Sequence, residues 1–183
     1  MKHIVFLVEE PSMKNFLNAL LPRVLPDNIT YDILDHEGIT DLERSIPRKL
    51  RAYNMPGYEL YFIILRDQHG GDCLEVKRNL QRLCMWMPDV IIRIVCKELE
   101  AWYLGDLAAL EKAFECRNLA QKQLTRIYRE PDKLTNAADL MRQLIPGFVK
   151  SHAVKIVPWM ELEQNCSKSF QVFLATLNRI IAD

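Results

Sequence analysis

The chain has 183 residues, 49% of them apolar, enough for one substantial core over residues 1–183 and too few for an independent second domain. Lysine and arginine balance aspartate and glutamate at 24 each, so no global field favours nucleic acid, and any basic surface has to be local. Five cysteines, odd in number and without a CxxC pair, exclude a secreted disulfide framework, and no apolar run reaches signal-peptide or membrane-span length; the expectation is a soluble cytoplasmic protein with no membrane partner.

Ile4 to Val8 is an apolar run of strand length, broken by Glu9-Glu10 ahead of Pro11-Ser12. Ser12 is a candidate cap for a helix in which Phe16, Leu17, Leu20 and Leu21 recur at helical spacing toward Pro22. Thr30 to Leu34 reads as a second strand, and Asp41 to Tyr53 as a helix interrupted or restarted at Pro47. Tyr61 to Leu65 is a third apolar run, ending in Arg66-Asp67-Gln68-His69, two glycines and Asp72. Behind that turn Leu74, Val76, Leu80, Leu83 and Cys84 outline one helical face, with Lys77, Arg78 and Arg82 outside it. Val90 to Val95 is a fourth strand, running through Lys97-Glu98-Leu99-Glu100 into a helix with Trp102, Leu107, Leu110 and Phe114.

From Cys116 onward the periodicity weakens. Short helical pieces are expected near Ala120 to Arg129 and Ala137 to Leu144, and Ala153 to Val157 reads as one more strand. The last segment is a helix capped by Ser167, with Phe170, Phe173, Leu174, Leu177, Ile180 and Ile181 on one stripe. Four strand-to-helix units predict an α/β fold: a parallel-dominated sheet sandwiched between helices, with an irregular helical carboxyl-terminal third.

Acids fall at the ends of three predicted strands: Glu9-Glu10, Asp67 with Asp72, and Glu98 with Glu100. On parallel neighbours these carboxylates converge on one rim, where a divalent cation would relieve their repulsion and polarise a phosphoryl oxygen. The competing reading is that they are solvated loop acids. Asp72 serves equally as a helix cap. His69 is either an exposed turn residue or a nitrogen ligand, which would shift metal preference away from magnesium toward manganese or zinc. Cys73 reads as a packing residue. Lys77, and Lys150 and Lys155 around Trp159, are the residues available to neutralise phosphates. No phosphate-loop or dinucleotide fingerprint is present.

The stretches Phe6-Leu-Val-Glu-Glu-Pro-Ser-Met13, Arg66-Asp-Gln-His-Gly-Gly-Asp-Cys73, Cys96-Lys-Glu-Leu-Glu-Ala-Trp-Tyr-Leu-Gly-Asp106 and Asn165-Cys-Ser-Lys-Ser-Phe170 resemble the bacterial domain-of-unknown-function family 4276, regarded as Toprim-like. The resemblance spans essentially the whole chain, and Glu-Leu-Glu-Ala-Trp is its most specific part. It implies a Toprim-like domain with Glu9 as the catalytic glutamate and Asp67 as the first aspartate of Asp-x-Asp. His69 stands where the second aspartate is usual, leaving Asp72 or Glu98 to complete a site for Mg2+ or Mn2+. By the same resemblance the expected activity is metal-dependent endonucleolytic hydrolysis of nucleic acid, DNA above all, in an anti-phage or mobile-element setting beside an ATPase of the structural-maintenance type. The alternative it leaves is a weakened or inactive Toprim-fold subunit that binds or regulates that ATPase.

Overall fold

The computed structural model describes residues 1–87 and 89–183. Four strands, β1 (Lys2–Val8), β2 (Ile29–Asp35), β3 (Glu59–Asp67) and β4 (Ile91–Val95), form a parallel sheet in the order β2-β1-β3-β4. Three crossover helices connect them: α1 (Pro11–Val24), α2 (Ile39–Ala52) and α3 (Cys73–Leu83). Lateral movement reverses at β1, outward to β2 and then back across to β3 and β4. Because parallel crossovers keep one hand, that reversal sends α1 to one face of the sheet and α2 and α3 to the other.

The core follows this division. Ile4, Phe6, Val8, Ile63, Leu65 and Val95 face α1 and the carboxyl-terminal helices, whereas Val5, Leu7, Phe62, Ile64, Ile92 and Ile94 face α2 and α3. Period-two alternation thus reads as unbroken apolar runs, as expected where both faces are covered. Strand β1 and the carboxyl-terminal half of β3 carry little polar information because they are buried on both faces, whereas β2 exposes Thr30 and Asp32.

The remaining helices are α4 (Glu100–Leu104), α5 (Leu107–Phe114), α6 (Ala137–Leu144), α7 (Ala153–Ile156) and α8 (Lys168–Ala182), with 3-10 turns at Ala120–Leu124, Pro131–Lys133, Lys150–His152 and Val157–Trp159. Several expectations change here. Ala153 to Val157 is helical, not a fifth strand; Ala153, Ile156 and Val157 are buried in the α1-side core, a spacing of three to four residues that fits a helix as well as a strand. Helix α2 runs through Pro47 without a break. Trp102 and Leu107 lie on two helices, separated at Gly105-Asp106, where Asp106 caps α5 by accepting from Ala109 N–H. Leu74 is not on the buried face of α3 but 60% exposed. Ser12 does not cap α1; its hydroxyl donates to Glu10, the residue at the cap position. Ser167 does cap α8, accepting from Phe170 N–H.

Candidate functional site: an acidic rim at the strand crossover

All four strands point the same way, so their carboxyl ends share one rim, and the reversal of strand order lies between β1 and β3. That crevice is where open parallel sheets take their ligands. Strand β3 outlasts its apolar run by two residues, so Arg66 and Asp67 belong to the strand and pair with Ile94 and Val95. Alternation then assigns their directions. Asp67 follows Ile63 and Leu65 toward the α4 side, where Asp67 Oδ2 accepts from Leu99 N–H at 3.3 Å. Arg66 points to the α2 side and donates to Glu43 at 2.9 Å.

Glu9 is the first residue after β1 and is 7% exposed. Its backbone is held from the β2–α2 turn, where Gly38 N–H donates to Glu9 C=O and His36 Nδ1 donates to Val8 C=O at 2.7 Å. His36 is buried, and that burial lowers its pKa; the neutral ring donates through Nδ1 and accepts from Lys49 through Nε2. Glu9 Oε1 lies 2.7 Å from His69 Nε2. A carboxylate only accepts, so Nε2 carries the hydrogen. Glu9 Oε2 stands 3.9 Å from Arg66 Nε, too long for a hydrogen bond, and neither atom has another partner.

Asp67 Oδ1 is likewise buried with no donor. Burial, and then the negative charges of Glu9, Glu10 and Glu100, hold the Asp67 carboxyl well above the usual aspartate range. Glu100, 4% exposed in the first turn of α4, is also pushed up, by burial first. The Tyr103 hydroxyl is buried without a partner; burial and then the neighbouring Glu100 and Asp67 push its pKa far up. Burial also raises Glu10, but hydrogen bonds from Lys150 and Ser12 outweigh it and hold that carboxyl low. Lys150 Nζ reaches both Glu10 oxygens, at 2.7 and 2.9 Å.

The structure therefore gathers Glu9, Asp67, His69, Glu10 and Glu100 on one rim and brings Lys150 to its edge. It does not gather Asp72 and Glu98 in the same way. Asp72 Oδ1 accepts from Leu74 and Glu75 N–H, capping α3, and Glu98 accepts from Ala138 N–H at the start of α6. Lys155 lies over the Phe114 ring at 4.5 Å, and Lys77 lines a depression beside β4. Arg66, His36 and Tyr103 were not distinguished from sequence. The signal for Arg66 was its place beside Asp67 at the end of an apolar strand; His36 and Tyr103 carried none, since their roles depend on segments far away in the chain.

The turn from β3 to α3 is tied down. Gln68 N–H donates to Val95 C=O, His69 N–H to Lys97 C=O, Lys97 N–H to Gln68 Oε1, and Gln68 Nε2 to Gly71 C=O. His69 and Lys97 both have left-handed backbones, φ 53° and 65°. That conformation is uncommon outside glycine, and at His69 it aims the ring back at Glu9.

Among the described residues no three His, Cys, Asp or Glu side chains are arranged as a ready-made metal cage. Two orphaned carboxylate oxygens on adjoining strand ends, with Glu100 behind them, nevertheless suit a hard cation that keeps much of its water and takes only one or two carboxylates, as Mg2+ does. No helix among the described residues is long and apolar enough to cross a membrane.

The chain belongs to a family described as Domain of unknown function (DUF4276), whose family model matches residues 8–178. No curated protein and no solved structure matches it.

Proposed function

We propose that the acidic rim is the active site of a metal-dependent nuclease of Toprim type, with Glu9 and Asp67 holding Mg2+ or Mn2+ and Glu100 adding charge behind them. The observation that carries this reading is the pair of buried oxygens without donors, Glu9 Oε2 just after β1 and Asp67 Oδ1 at the end of the neighbouring parallel strand β3. Buried polar atoms are almost always satisfied, and leaving one bare costs about 1–3 kcal/mol, more where the group is charged. A bound cation supplies Lewis acidity and a water that ionises near neutrality. The remaining tasks fall to side chains. Glu9 orients the His69 ring through Nε2–H, which leaves Nδ1, on a ring whose side chain is 45% exposed, as the atom that would take up a proton and pass it to a departing oxygen. Lys150, half exposed over Glu10 at the edge of the rim, is a cation available to a backbone phosphate. DNA as substrate, cytoplasmic location and an ATPase partner of the structural-maintenance type remain part of the same proposal.

The test is nicking of supercoiled DNA with Mg2+ and with Mn2+. Wild type nicks, whereas Glu9→Ala and Asp67→Ala lose activity by about 100-fold or more. Equal nicking by all three removes the assignment.

One observation favours a second reading, a non-catalytic subunit that regulates a partner. The His69 Nε2–H and the Arg66 guanidinium already face Glu9, so a protein donor and a protein cation partly satisfy that acid without a metal. The readings separate in a calorimetric titration of the wild type with Mn2+: absence of binding at millimolar concentration selects the non-catalytic subunit.

A further inference from the structure

Strand β4 ends the sheet, and its outer edge lies open between α3 and α8. Val95 C=O accepts from Gln68 N–H, so by the alternation of a parallel ladder Ile91, Arg93 and Val95 bond inward to β3, while Ile92, Ile94 and Cys96 bond outward. Two outward groups are occupied: Arg93 Nη1 donates to Ile92 C=O, and Cys96 N–H donates to Ser169 Oγ. Between them the N–H and C=O of Ile94 have no such partner among the described residues.

A depression of about 420 Å3 runs along this edge, floored by Ile92 and Ile94 and walled by Leu74 of α3 and Val172 of α8. Leu74 is 60% and Val172 53% exposed, apolar side chains left in water on both walls. A second depression continues from the first, sharing Arg93 and Val172 and reaching Arg179. The rim is cationic, with Lys77, Lys168, Arg93 and Arg179. Asp132 is the one acid in either lining among the described residues, and it already accepts from Ser167 Oγ, Ser169 N–H and Ser169 Oγ. Cys96 also lines the depression, and burial pushes its thiol up to about 11, a packing sulfur and not a nucleophile.

We propose that this edge receives an extended acidic segment of a partner protein as a fifth strand, with main-chain pairing at Ile94, an apolar side chain between Leu74 and Val172, and carboxylates on the lysine and arginine rim. An apolar cleft with unpaired main-chain groups suits a peptide, which presents backbone partners as well as charge. A second copy of this chain does not fit. Ile91–Val95 contains no acid, so pairing β4 with its own symmetry mate would bring two sets of these cations together. The proposal stands apart from the reading of the acidic rim and does not depend on it.

The probe is a capped peptide of about seven residues alternating valine and glutamate, compared with its valine–lysine counterpart by fluorescence anisotropy, with amide exchange at Ile94 followed by NMR. The glutamate peptide is expected to bind at least about tenfold more tightly than the lysine peptide and to slow Ile94 exchange at least about tenfold. The variants Lys168→Glu and Arg179→Glu, both at exposed positions and checked for folding by circular dichroism, weaken it by about tenfold. The proposal is overturned by equal affinity for the two peptides, by no binding of the glutamate peptide at millimolar concentration, or by saturation that leaves Ile94 unprotected. It is overturned equally if single-stranded DNA protects Ile94 as well as the peptide does, or if the protein dimerises through β4 in sedimentation without peptide.

Discussion

Asp67 is the residue whose environment contradicts its chemistry most sharply, since a fully desolvated carboxyl with Glu9, Glu10 and Glu100 around it receives a single hydrogen bond. Its folded pKa lies above the unfolded one, so the folded state binds that proton more tightly. In metal-free buffer this term costs nothing below the ordinary aspartate range; it weakens the fold as pH rises toward the raised value and reaches its full cost above it. Asp67→Asn removes the charge at almost constant shape. At pH 7 without metal it is expected to raise the melting temperature by about 2–8 °C, the shift that roughly 1–2 kcal/mol gives at this chain length, with the gain shrinking as pH is lowered. A melting series across pH in chelator checks it; a variant less stable than wild type at every pH contradicts the picture of an unmatched charge. Asp72 behaves differently although it lies only five positions away. As a cap exposed to water it contributes helix stability, so Asp72→Ala should cost about 1 kcal/mol in urea unfolding. Divalent-cation affinity should stay within about twofold, because the rim carboxylates are untouched.

The strands and their crossover helices were legible because β1, β3 and β4 are apolar runs, β2 alternates with β-branched residues and the helices carry apolar stripes; Glu9, Asp67 and the pair Glu98 and Glu100 stood out as the acids at the ends of such strands, with Glu98 and not Glu100 expected to complete the site. The short elements were not legible. A four-residue helix such as α7 offers one turn of pattern, which fits strand and helix alike. The stretch Glu98-Leu-Glu-Ala-Trp that carries the family resemblance has a structural as well as a chemical content. Trp102 Nε1 donates to Ser169 Oγ, Asn165 Nδ2 to Trp102 C=O, Ser167 N–H to Asn165 Oδ1, and Cys166 N–H to Gly105 C=O. That stretch and Asn165 to Ser169 are thus one joint, locking α4 to the start of α8, while Glu100, by its side chain, and Leu99, by its N–H, face the acids. Gly105 is the tightest point of that joint: a Cβ there would meet Asn165 Oδ1 at 2.1 Å and Cγ at 2.8 Å. Gly105→Ala is expected to cost about 1–3 kcal/mol in chemical unfolding. Adding Asn165→Ala relieves the clash, so the double variant falls short of the summed single costs; strict additivity would mean that the two positions do not touch.

At the scale of the whole molecule, the decisive feature is the reversal of strand order at β1, between β2 on one side and β3 on the other, which splits the helices between the faces and leaves a crevice at the carboxyl rim. Composition indicated no global basic field and the four strand-to-helix units an α/β chain, but neither gave strand order, which is set by packing among segments tens of residues apart. The balance of carboxylates in the crevice was equally hidden: that Glu98 turns to α6 while Glu100 turns to Asp67 follows from where α4 begins. The same topology leaves β4 as an open edge, so the acidic rim and the peptide-sized groove are two consequences of one strand order. Crystals grown with Mn2+ and measured at the manganese absorption edge address the central claim directly. An anomalous peak within direct ligand distance of both Glu9 Oε2 and Asp67 Oδ1 is the predicted result; a peak on Asp72 or Glu98 instead, or none at millimolar Mn2+, would contradict it.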